Sequence, residues 1–253
     1  MEYIRKIGAF LFFLCFVWGA AFAQEEAIKE AETAYTQEDY GKAIELYETI
    51  LMSNGASAEI YYNLGNAYYR ANKIAPAILN YERALVLDPG DADTRFNLQI
   101  AKQKTVDKIE PLGEFFLAQW FHSIQNLGAV DSWAILAIVC FLLFIFSLLL
   151  FFFSRWLRMK KIGFYFAFIF LVLVVVANIF ASNQKDEIIN RKHGIVFAPT
   201  VTVKSSPDAS GTDLVVLHEG IKVSIKSTLG EWYEIELEDG NVGWMRNKDV
   251  EII

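Results

Sequence analysis

Apolar and polar positions follow four different rules along this chain, and each rule predicts a different kind of element. Residues 7–23 form an unbroken apolar run behind Arg5 and Lys6, ending in Ala21-Phe22-Ala23. A basic start, a short apolar stretch and a small-x-small end predict an export signal over residues 1–23; an uncleaved anchor helix is the alternative. From Gln24 onward the pattern is helical and recurs at an offset of 34 positions, pairing Tyr35 with Tyr69, Ala43-Ile44 with Ala77-Ile78, Tyr47 with Tyr81 and Leu51 with Leu85. Residues 61–68 predict one helix and residues 77–85 its antiparallel partner, and Asp88-Pro89-Gly90 ends the unit because proline cannot continue a helix. Gly65, Ala77 and Ala84 let the two helices approach, while Tyr61, Leu64, Tyr68 and Tyr81 fill the space between them. A third copy starts at Ala92 and fades by Lys102, as a capping helix would.

Beyond residue 110 the rule changes twice. Residues 111–131 mix Phe115, Phe116, Trp120 and Phe121 with Glu114, Gln119, His122 and Gln125. That mixture predicts an amphipathic helix at a membrane surface, or else a core helix of the neighbouring domain. Two uncharged stretches of 23 residues follow, one between Asp131 and Arg155 and one between Lys161 and Lys185. Each is about 34 Å long as a helix, enough to cross a bilayer, so residues 132–184 predict two transmembrane helices. The basic turn 154–161 between them carries Arg155, Arg158, Lys160 and Lys161, which by the positive-inside rule stays in the cytoplasm. Both flanking domains then lie outside, in agreement with the export signal. In residues 190–253 the period becomes two: Val201 and Val203, then Ile221, Val223 and Ile225, then Tyr233, Ile235 and Leu237 alternate with polar neighbours. This predicts half-buried antiparallel strands, five in number and closed into a small barrel, with Asp239-Gly240-Asn241 as a hairpin turn.

Composition removes several function classes. The chain has 253 residues and a net charge of −7, and both polar parts are acidic, so nucleic-acid binding loses its electrostatic basis. Cys15 and Cys140 both sit in apolar runs, and His122, His193 and His218 stand far apart. No disulfide framework and no metal site is expected, and no cofactor. No Ser/His/Asp set, paired carboxylates or Gly-rich phosphate loop is spaced for catalysis, so the chain reads as a non-enzyme.

The 34-residue unit resembles the tetratricopeptide (TPR) repeat, whose signature positions are here Tyr61, Leu64, Gly65, Tyr68, Ala77, Tyr81, Ala84 and Pro89. The resemblance implies an all-α solenoid over residues 24–110, made of two repeats and a capping helix. It also implies a groove for protein partners along the first helix of each repeat, lined by Tyr62, Asn63, Asn66, Tyr69 and Arg70, with Phe96 and Asn97 from the third copy. Asn66 and Asn97 stand where some family members hold a C-terminal carboxylate, but Tyr62 replaces the accompanying lysine. The C-terminal segment, with Val201-x-Val203-x-Ser205, Trp232-Tyr233-x-Ile235 and Asp239-Gly240-x-x-Gly243-Trp244-Met245, resembles a bacterial SH3-like barrel. There Trp232, Tyr233 and Trp244 serve as core or as a platform for a peptide or peptidoglycan ligand. The whole order is that of a multidomain membrane protein: export signal, TPR solenoid, transmembrane hairpin, all-β SH3-like barrel. It resembles the E type of the Bacteroides aerotolerance (Bat) family. That resemblance implies an adaptor in the bacterial inner membrane, with both soluble domains in the periplasm and von Willebrand A-domain membrane proteins as partners, acting in oxidative stress tolerance. A cell-wall-binding sensor is the alternative.

Overall fold

The computed structural model describes residues 25–113, 115–190 and 193–253; the export signal expected over residues 1–23 lies outside them. Five helices come first: α1 (25–36), α2 (Tyr40–Asn54), α3 (Ala58–Arg70), α4 (Ile74–Leu87) and α5 (Ala92–Lys102). The repeat is written into the backbone, because the α1–α2 turn and the α3–α4 turn each place one residue at positive φ, Glu38 at 63° and Asn72 at 59°. These two positions are themselves one repeat apart. Asp39 caps α2 by accepting from the Lys42 amide, and Asp91 caps α5 by accepting from the Asp93 and Thr94 amides.

Small residues let the helices close on one another. Ala31, Ala34, Ala43, Ile44, Tyr47, Ile60, Leu64 and Ala67 form one buried cluster, and Ala75, Ala77, Ile78, Leu79, Tyr81, Leu98 and Ala101 another. Gly65 lies flat against the Tyr81 ring, and a Cβ there would come within 2.7 Å of it. Of the four side chains expected between the helices, Leu64 and Tyr81 are buried, whereas Tyr61 and Tyr68 are only half-buried. Arg83 lies over the Tyr61 ring, and the Tyr68 hydroxyl donates to Glu48 on α2.

A linker leads from α5 to α6 (Phe116–Gln125), which precedes α7 (Val130–Phe153) and α8 (Leu157–Asn190). The last two are long and apolar enough to cross a membrane and pack antiparallel. Their seam is made of small residues: Ala137, Cys140 and Ser147 on α7 are buried, as are Ala167 and Ala177 on α8. At Gly163 the backbones come so close that a Cβ would lie 2.9 Å from the Ser147 carbonyl. The connection is shorter than the sequence pattern indicates. Helix α8 begins at Leu157, so Arg158, Lys160 and Lys161 stand on its first turns instead of in a loop. A long cationic side chain does not interrupt helical hydrogen bonding, which is why the basic stretch stays helical.

The C-terminal part is an antiparallel sheet of seven strands: β1 (His193–Val196), β2 (Thr200–Lys204), β3 (Asp213–His218), β4 (Lys222–Leu229), β5 (Trp232–Glu236), β6 (Val242–Arg246) and β7 (Val250–Ile252). Their order is β3-β2-β6-β5-β4-β1-β7, so the sheet is open, with β3 and β7 as its edges. The five-strand closed barrel is corrected on both counts. The two extra strands are β1 and β7, three or four residues each and too short to show a period. The alternating positions do point inward, since Val203, Val223, Ile235 and Leu237 are buried with Val196, Leu217, Met245 and Val250.

Sheet and helices form one packed body. Ile195 is buried in the α4–α5 cluster, with Phe197 and Ile253 packed beside it. Glu82 of α4, only 6% exposed, meets Lys222 at 2.7 Å and Lys102 at 3.0 Å. Arg83 donates to the Ile252 carbonyl at 2.6 Å, and Asp107 accepts from the His218 amide at 2.6 Å. Burial alone would raise the Glu82 pKa, but the two ammonium groups and their hydrogen bonds reverse this and hold it at about 2.

Candidate partner-binding groove

The candidate residues sit on two helices, α3 and α5, with α4 between them in the chain. Asn66 on α3 and Asn97 on α5 meet directly, the Asn97 amide donating to the Asn66 carbonyl at 2.9 Å and to the Tyr62 hydroxyl at 3.3 Å. The same Asn66 oxygen accepts from the Tyr81 hydroxyl at 2.7 Å. With that oxygen twice engaged, Asn66 has its amide N–H groups to offer a ligand. Tyr62, Asn66 and Asn97 are therefore joined into one polar network between repeat and cap. Phe96 lies beside it on α5 and is 62% exposed, a large apolar surface left in water.

Tyr69 and Arg70 extend the face toward the first repeat. The Lys104 ammonium stands 4.3 Å from the Tyr69 ring centre, a cation–π distance. Arg70 donates to the Tyr40 hydroxyl through Nε at 3.0 Å and through Nη2 at 2.7 Å. Tyr40 in turn meets Tyr35 edge to face at 5.5 Å. Burial raises the Tyr35 hydroxyl above its ordinary pKa, and the Arg70 charge pulls it part of the way back. Tyr35, Tyr40 and Lys104 are the members that sequence reasoning left out. The signal for Tyr35 was present, since it stands one repeat before Tyr69.

Asn63, half-buried on the same helix, borders the face. Tyr62 and Tyr69 are not purely groove residues, because both pack against the α4–α5 cluster. Tyr62 and Arg70 also take part in holding the repeats together: Tyr62 leans on Tyr81 at 6.3 Å, and Arg70 ties α3 to α2. A concave face between short helices has no other place to bury the rings.

The sheet holds the other candidates. Tyr233 faces the core and packs against it. Trp232 and Trp244 lie half-buried on the opposite face, where Trp232 pairs with Arg246 and Trp244 with Glu234 across neighbouring strands. The Arg246 guanidinium covers the Trp232 ring at 5.2 Å. Alternation explains this: with Tyr233 and Ile235 inward, Trp232 must point out. A second concavity, unforeseen in the sequence, opens on another face of α3, between Leu51, Met52, Tyr61, Arg83, Phe197 and Glu251.

With this geometry in view, the helical part defines the class: residues 28–92 match the tetratricopeptide repeat family. Among known proteins, the chain is similar to the peroxisomal targeting signal receptor of Kluyveromyces lactis, at 28% identity over 98 residues. The similarity covers 39% of this chain and only 17% of that receptor. Tetratricopeptide arrays are protein-interaction scaffolds, and this array has their paired helices.

Proposed function

We propose that the protein is a membrane-anchored adaptor whose groove captures an exposed segment of a protein partner and which performs no chemistry itself. The observation that carries this reading is the face formed by Tyr62, Asn66, Tyr69, Arg70 and Asn97 with exposed Phe96 at its border. Aromatic area, amide donors and two cations suit an extended peptide, and the side chains are already held by one another, so little entropy is lost on binding. The motif order supports placement in a Bat-type envelope complex, with von Willebrand A-domain membrane proteins as partners and a role in oxidative stress tolerance. The sheet is then the SH3-like module. Trp232 and Trp244 lie half-buried on its outward face, which supports the second reading, a sensor of wall fragments or peptides.

Because Tyr62 and Arg70 help hold the repeats, the clean probes are Phe96→Ala combined with Asn63→Ala. This double variant keeps its helical circular dichroism and loses the partner from a crosslinked pull-down, while Trp244→Ala keeps it. Retention of every partner by the groove variant, with loss in Trp244→Ala, moves the adaptor role to the sheet.

The proposed topology places residues 24–133 and 183–253 outside the cytoplasm, with the 154–161 turn inside. Alkaline phosphatase fused after Leu112 or Ile253 is active and fused after Met159 inactive. Activity at Met159 overturns the arrangement.

A further inference from the structure

Helix α6 has three distinct sides at 3.6 residues per turn. Phe121 and Gln125 face the hairpin: Phe121 meets Phe180 edge to face at 5.0 Å, and Gln125 is buried. Gln119, His122, Ser123 and Asn126 face the end of the repeat array and, with Gly90, Arg95 and Leu127, line a pocket. Phe116, Leu117 and Trp120 form the third side. All three are more than half exposed, Trp120 at 66%. No described element covers this side.

The height of α6 relative to the hairpin is fixed by hydrogen bonds. The Trp133 indole donates to the Gln125 carbonyl at 2.8 Å, and the Gln184 amide donates to the Gln125 and Gly128 carbonyls, both at 2.9 Å. Trp133 stands in the first turn of α7, and Gln184 closes the uncharged stretch of α8. These two residues mark the end of the apolar hairpin remote from its basic turn. A helix tied there lies at the level where hydrocarbon gives way to headgroups.

We infer that α6 is a monolayer wedge: its Phe116, Leu117 and Trp120 side is buried in the lipid surface, and its polar side carries the repeat array. The occupant is lipid, because the uncovered side is continuous with a hairpin whose own outer residues are apolar and exposed. A helix with one apolar and one polar side lies in the interface plane, with the apolar side about 5–10 Å deep. Gly90, in the turn that ends the second repeat, comes so near that a Cβ there would lie 3.2 Å from the Leu127 carbonyl. The wedge thereby sets how the groove is presented above the membrane. This inference rests on α7 and α8 spanning the bilayer.

The test uses the full chain in nanodiscs of phosphatidylcholine and phosphatidylglycerol. In a Cys15→Ser, Cys140→Ala background, single cysteines replace Leu117, Trp120, Gln119, Ser123 or Leu142 and carry an NBD fluorophore. Quenching by a shallow nitroxide lipid, a deep nitroxide lipid and aqueous iodide is compared. Labels at 117 and 120 are expected to be quenched by the shallow lipid at least about twofold more than those at 119 and 123. Label 142 is quenched by the deep lipid. Iodide access at 117 and 120 equal to that at 119, with 142 still quenched by lipid, overturns the wedge and leaves the spans standing. Shielding of 117 and 120 from both iodide and lipid overturns it as well, since protein then covers that side. Failure of the deep lipid to quench 142 overturns the spans, and the wedge with them.

Discussion

Leu64→Ala lowers the stability of the repeat array by about 2–5 kcal/mol, the usual cost of emptying a buried leucine site. Leu64 is 2% exposed, and Gly65 beside it is pressed against Tyr81, so neighbouring helices have little room to collapse into the vacancy. In an array this short the loss is a large share of the total. It is measured on the whole chain in detergent, by thermal melting followed at the helical circular dichroism band. The helical piece alone would lack Ile195, Phe197 and Ile253, which complete the α4 core. Met52→Ala is the control: Met52 is 81% exposed, and its change stays within about 0.5 kcal/mol. Equal melting of the two variants would show that the 34-residue register is misplaced.

Lys222→Met releases the sheet from α4 at a higher pH than in the unaltered chain. The Glu82 pKa lies at about 2 in the folded protein, below its unfolded value of roughly 4.3. A depressed carboxylate contributes stability that is fully present above the unfolded pKa. That stability is lost as pH falls through the folded one. Acid therefore loosens this contact between about pH 4.3 and 2. Removing the nearer ammonium leaves Glu82 with Lys102 alone and costs about 1.5–3 kcal/mol, the range for a charged hydrogen bond. Amide hydrogen exchange at Ile78–Glu82 and Gly194–Val196, corrected for intrinsic rates and followed from pH 7 to pH 3, reads the release directly. Identical pH profiles for the two proteins would show that the Glu82 charge does not hold the two parts together.

How much could be read without coordinates depended on how local the cause was. The repeat was legible because its signal recurs at one offset, and Glu38 and Asn72 then fall at the same turn of successive units. The two long apolar helices were legible from length alone. The strand faces were legible from Val203, Val223 and Ile235, but the strand count was not, because β1 and β7 carry too few residues to show a period. The Asn66–Asn97 pair was visible as two positions on one side of the solenoid; its bond to Tyr62 depends on how α5 packs. The docking of the sheet onto α4 left no trace. Glu82, Lys102 and Lys222 look like ordinary surface charges in the sequence, and only the fold brings them together.

That same cluster sets a timetable for biogenesis. Glu82 and Lys222 are separated by 140 residues, and the long apolar hairpin of α7 and α8 is synthesised between them. At about 5–20 residues per second, roughly 7–28 s pass between the emergence of the carboxylate and that of its nearer lysine. During this interval α4 has its helical neighbours, but the places later filled by Ile195 and Phe197 stand open. The nascent array thus carries an apolar strip and a half-paired acid on its surface until the strands follow. Docking of the sheet is the last step of assembly, because its strands come after every helix that it packs against.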